Sequence, residues 1–203
     1  MNNPVRRSRR IGLTQGGRVK AGRAQEKYSR VFSQDIWTRL SEDNQLWKVL
    51  KENPSRNYFH PCTGDDYHSV LQVLPSLLTD CVRAIVLRRL PRLDEKLCIE
   101  ARRKYLCVIM NAFPSSLSMR WFGLPGERTV RHYAPWCNRW EHDQSGSVLQ
   151  WNQEEVRRYY LYHLFLHEIG HLNQPSFGSR KRREAFAENF ALEWARKLGH
   201  LWA

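Results

Sequence analysis

The chain has 203 residues, 41% of them hydrophobic and 12% aromatic, enough for one domain with a true core but cramped for two. Its formal charge of +13 is uneven: residues 1–30 hold nine Lys or Arg against Glu26, a surplus of +8, which leaves +5 for the rest. No apolar run approaches the ~18 residues of a membrane span, and no apolar segment follows the basic start. The expectation is therefore a cytoplasmic protein without membrane contact. Five scattered cysteines with no C-x-x-C pair indicate neither a disulfide framework nor a thiolate zinc knuckle.

In chain order, residues 1–30 bear like charges, four glycines and almost no large apolar side chains. Such a segment buries too little surface to offset its ordering entropy, so a disordered basic arm is predicted. It can attract nucleic acid nonspecifically by neutralising phosphates, or serve only as a solubilising tail. A folded domain over residues 31–203 should follow. Ile36, Leu40, Trp47 and Leu50 recur at helical spacing behind Ser33, a suitable N-cap, and Pro54 ends that helix. "HPCTGDDYH" (60–68) reads as a turn-rich loop, and "HSVLQVLPSLLTD" as a weaker helical piece broken at Pro75.

The middle changes character. "CVRAIVLRRL", "KLCIEAR", "KYLCVIMNAF" and "SMRWFG" are short apolar or alternating runs between charged or Pro/Ser turns, which predicts strands of a mixed sheet. "ERTVRHYAPW" and "GSVLQWN" are expected to add edge strands. Two helices should close the chain: about Gln153–Leu172, with Asn152 as N-cap and Glu154 and Glu155 near its positive end, and about Arg180–Leu198.

The first of these carries "HEIGH". Residues four apart lie one turn apart on one helix face, so His167 and His171 can offer imidazole nitrogens to a single ion. Glu168 points about 100° away from His167, where it can reach a water on that ion. Chance would produce H-E-x-x-H in a chain of this composition about 2% of the time. Leu161, Leu164, Phe165, Ile169 and Leu172 cover most of the remaining surface, so the polar stripe faces inward and needs partners. Glu184 and Glu188 on the last helix are again four apart and share a face with Ala191 and Ala195, whose small size permits close approach. Either can be the third ligand; Glu184 is preferred, with Glu188 as the outer support of a ligand histidine. His163, one turn before His167, is expected to be packed or supporting.

"HEIGH" followed by "SRKRREAFAE" resembles the gluzincin branch of zinc metallopeptidases, and "EAFAENFA" is similar to a helix of the ImmA/IrrE-like peptidases, which cleave repressor proteins. The resemblance covers about residues 146–200, and Glu188 stands where the family usually has aspartate. It implies a zincin-like α+β fold: a small mixed sheet against the H-E-x-x-H helix and a C-terminal helix. It also implies Zn²⁺ on His167, His171 and Glu184, Glu168 as catalytic base, and a protein or peptide substrate laid along an edge strand, for which "GSVLQWN" is the candidate. The alternative is a non-catalytic nucleic-acid- or protein-binding module with a structural or degenerate zinc site.

Overall fold

A computed structural model describes residues 47–201 except 98, 105, 145 and 175–178. The expected arm over 1–30 and most of the expected first helix lie outside these residues. What is described of that helix is different. Trp47 takes a left-handed backbone turn (φ 59°), and β1 (Lys48–Lys51) is a strand. Its parallel pairing with β3 (Ala84–Arg88) overrides the helical spacing of Trp47 and Leu50. The turn is held at both ends: the Trp47 indole donates to the Thr79 carbonyl (3.3 Å), and the His68 ring bonds the Trp47 carbonyl (2.8 Å).

A short strand β2 (Tyr58–Phe59) precedes α1 (Gly64–Val73), which begins inside the segment expected to be a loop. The reason is a reciprocal cap, in which the Thr63 hydroxyl accepts from the Asp66 N–H and the Asp66 carboxylate accepts from the Thr63 N–H. Pro75 separates α1 from α2 (Ser76–Thr79) as expected. After β3 come α3 (Arg92–Lys96), β4 (Ala101–Lys104) and β5 (Cys107–Asn111). The sheet runs β1-β3-β5-β4, with β1, β3 and β5 parallel and β4 antiparallel at one edge. β3 and β5 are buried at every residue, as central parallel strands must be. Asp94 on α3 is fully enclosed and ties the sheet end together, with Arg88 at 3.3 Å, Arg102 of β4 at 2.7 Å and Asn111 of β5 at 3.3 Å.

The remaining strands are β6 (Phe113–Pro114), paired with β2, and β7 (Ser118–Trp121), β8 (Trp140–Asp143) and β9 (Gly146–Gln150) in a second sheet ordered β7-β9-β8. Two strand expectations fail here. "ERTVRHYAPW" forms helix α4 (Glu127–Tyr133), because seven residues are too few to tell alternation from helical spacing. "GSVLQWN" does supply β9, but as the middle strand, hydrogen-bonded on both sides. It has no free edge for a substrate.

One helical rod then runs from 153 to 173. It comprises α5 (Gln153–Tyr159), a π-helical turn (Tyr160–Phe165) and α6 (Leu166–Asn173), with Asn152 and Glu155 forming a second reciprocal cap. Leu161, Phe165, Leu166 and Ile169 join Ile85, Leu87, Val108 and Met110 of the sheet in one core. The last helix, α7 (Arg180–Lys197), packs along α6. The result is α+β: small sheets, and a long C-terminal helix against a 21-residue one. No helix among the described residues is long and apolar enough to cross a membrane.

The approach of α7 is set by a missing atom. A Cβ on Gly170 would lie 3.0 Å from the Ala187 Cα and 3.1 Å from the Phe190 Cβ. Ala187, Ala191 and Ala195 are fully buried along this contact. Gly170→Val should force the helices apart, destabilising the fold by about 1–3 kcal/mol and loosening any ion held between them. Denaturant melts and metal titration of the variant check this; wild-type values in both would mean that the contact does not set the spacing.

Candidate metal centre

Because α6 and α7 touch through Gly170, the polar ends of both helices meet. His167 Nε2 lies 3.8 Å from Glu184 Oε2, and His171 Nε2 lies 3.6 Å from Glu184 Oε1. The two imidazoles stand edge to face with centroids 4.7 Å apart. His167, His171 and Glu184 thus form a group that could hold a metal ion, their donor atoms all within 4.8 Å. The fit can be tested on the other nitrogens. Ligand imidazoles commonly engage their second nitrogen in a hydrogen bond that fixes ring and tautomer. His171 Nδ1 meets this with Gln174 Oε1 at 3.0 Å, whereas His167 Nδ1 makes no hydrogen bond and faces Glu188 Oε2 in an ionic contact of 3.4 Å. Both Nε2 atoms are thereby turned towards Glu184. Two imidazoles and a carboxylate are a donor set suited to a divalent transition ion.

Electrostatics agree with this pairing. Burial opposes a charge on His167, but the carboxylates of Glu188, Glu168 and Glu184 outweigh it and hold its pKa above the ordinary value. Burial likewise opposes ionisation of Glu188, and His167, His163 and His132 overcome it, bringing the carboxyl down to about 2. These carboxylates favour a proton on His167, and an ion bound at that ring would compete with it. Glu168 behaves otherwise. It is 8% exposed and does not belong to the donor group, and burial pushes its pKa up to about 7 although His167 and Arg103 favour its charge.

The same carboxylate of Glu188 faces two further imidazoles, His163 Nε2 at 3.5 Å and His132 Nδ1 at 3.9 Å. His163 is enclosed, with its pKa lowered to about 3 by burial. In the sequence His163 stands out only as a neighbour of His167, and His132, Tyr159, Tyr160 and His142 are equally eligible to stabilise a transition-state oxyanion. The two tyrosines are fully buried, and His142 is engaged with Ser147 Oγ at 2.9 Å in the second sheet. Arg103, exposed on β4 and acting electrostatically on both Glu168 and His171, gave no sequence signal at all.

Glu100, just before β4, accepts from the Tyr133 hydroxyl at 3.0 Å, while its Oε1 is sealed from water with no hydrogen-bond partner. It lines a separate cavity of about 740 Å³ that contains none of the His/Glu donors. Burial raises its pKa from 4.5 to about 7, so the folded protein binds a proton that the unfolded chain has already released between those values. Stability should fall as pH rises through that window, by at most about 3 kcal/mol. Glu100→Gln should flatten the slope of Tm against pH by its own share, leaving that of Glu168, which is raised in the same window; an unchanged slope would place the proton elsewhere.

No protein-family model matches the chain, and no curated protein or solved structure is significantly similar to it.

Proposed function

We propose that this protein is a zinc-dependent metallopeptidase of gluzincin type, with Zn²⁺ held by His167, His171 and Glu184 and with Glu168 as the general base. The convergence of both Nε2 atoms on one Glu184 carboxylate, next to a buried glutamate outside that set, carries the reading. A bound zinc ion lowers the pKa of water and polarises a carbonyl. The chain's own groups do the rest. Glu168 takes the proton of the attacking water and passes it to the leaving amine; a carboxyl with a pKa near 7 is matched to both transfers. Glu188 faces His167 Nδ1 in an ionic contact of 3.4 Å, which favours the proton on that nitrogen and leaves Nε2 for the ion.

With β9 paired on both sides, β4 is the edge that suits an extended substrate. β4 is the antiparallel edge of its sheet and packs beside α6, so an extended peptide can add to it through backbone hydrogen bonds. Arg103 on that strand is then positioned to favour an acidic group near the scissile bond. A closed structural site would need a fourth protein ligand, and among the described residues this group has three. The test is a peptide library incubated with the zinc-loaded protein and read by mass spectrometry. Cleavage that stops with a chelator and returns with Zn²⁺ is expected; no zinc-dependent cleavage of any peptide or unfolded protein would favour the binding-module alternative.

A further inference from the structure

Beyond the hydrolytic site, two imidazoles remain without a task, His132 and His163, and both face Glu188. Glu188, His132 and His163 offer three ligand atoms within 4.8 Å of one another. The separations, 3.5 Å from His163 Nε2 and 3.9 Å from His132 Nδ1, are close to those in the first group, 3.6 and 3.8 Å. A hydrogen-bonded network would close to about 2.7–3.2 Å. Ligands held at about 2.0–2.2 Å around a tetrahedral ion lie roughly 3.3–3.6 Å apart, which both groups approach.

We propose that His132, His163 and Glu188 form a second site for a divalent transition-metal ion, distinct from the site of His167, His171 and Glu184. Three features support it. The second nitrogen of His132 is engaged, since Nε2 lies 3.1 Å from the Tyr159 hydroxyl, as is common for ligand imidazoles. His163 is 1% exposed, clasped by the rings of Tyr159 and Trp136 at 5.3 and 5.4 Å, and its Nδ1 has no partner. A polar ring so placed is costly unless its other nitrogen is strongly engaged, and Nε2 faces Glu188. Finally, His132 and Glu188 are each about one-third exposed, which gives an ion a way in.

The two sites stand on opposite sides of one imidazole. His167 turns Nε2 to Glu184 and Nδ1 to Glu188, so the second ion would draw on the carboxylate that supports the first. Two nitrogens and a carboxylate favour Zn²⁺, Co²⁺ or Ni²⁺ over Mg²⁺ or Ca²⁺. This inference does not depend on peptide hydrolysis.

The experiment counts ions. Stripped protein is loaded with excess zinc sulfate, dialysed and assayed for zinc per chain in wild type, His171→Ala and His132→Ala, with circular dichroism confirming the fold. Two ions in the wild type and one in each variant are expected. A single ion unaffected by His132→Ala, two ions retained in that variant, or none in the wild type would overturn the proposal. A single ion kept in His171→Ala but lost in His132→Ala would uphold the second site and remove the first. If His132→Ala does not fold, His132→Gln is read by the same counts.

Discussion

Replacing Glu168 by glutamine is expected to slow peptide hydrolysis by about 10²–10⁴-fold while leaving zinc content unchanged. The amide has nearly the same shape and occupies the same enclosed position, 8% exposed on α6. It cannot accept the proton of the attacking water or return one to the amine. Because Glu168 is outside the donor group, its loss should leave the ligands where they are. The two readouts must therefore separate: turnover of a peptide found in the library screen, and zinc per chain. Undiminished turnover would exclude Glu168 as the base. Loss of zinc along with turnover would mean that the residue holds the site together instead.

The second large effect distinguishes the two carboxylates of α7. Glu184→Ala should abolish tight zinc binding, because that carboxylate alone faces both His167 Nε2 and His171 Nε2. Glu188→Ala should weaken binding by about 10–100-fold, the usual cost of removing the partner of a ligand imidazole. Competition with a chromophoric chelator, in a His132→Ala background so that one site is read, measures both. The reverse order would transfer the ligand role to Glu188. If neither variant mattered, the ligand would lie off α7 and the gluzincin assignment would fall.

What could be read without coordinates was whatever lies within one element. The cap at Asn152, the polar stripe of His167 and His171, and the Glu184/Glu188 pair are all patterns of a single helix, and each lies where its spacing suggested. Helix α4 was missed because Thr129 and Val130 imitate a strand over a span shorter than two helical repeats. The strand at Lys48–Lys51 was missed because its pairing with β3 crosses more than thirty positions and leaves no local trace. His132 illustrates the same limit at the site. It reaches His163 and Glu188 from another element, and only the folded chain brings α4 beside α7.

The contact edge of α7 is a scale with identical marks. Ala187, Ala191 and Ala195 recur once per turn, and Glu184 and Glu188 recur at the same interval. A translation of the helix by one mark, about 6 Å, would bring Ala191 to Gly170 and Glu188 to the place of Glu184 before the two imidazoles, so small-residue packing alone is nearly indifferent between two settings. Two other residues break the tie. Phe190 now lies against Gly170, and the shifted setting would press the larger Trp194 there. Leu192 would replace Glu188 opposite His167 Nδ1 and strip that nitrogen of its partner. The choice of which glutamate faces His167 Nε2 and His171 Nε2 is thus made by one aromatic ring and one ionic contact, superimposed on an edge that by itself reads the same at either mark.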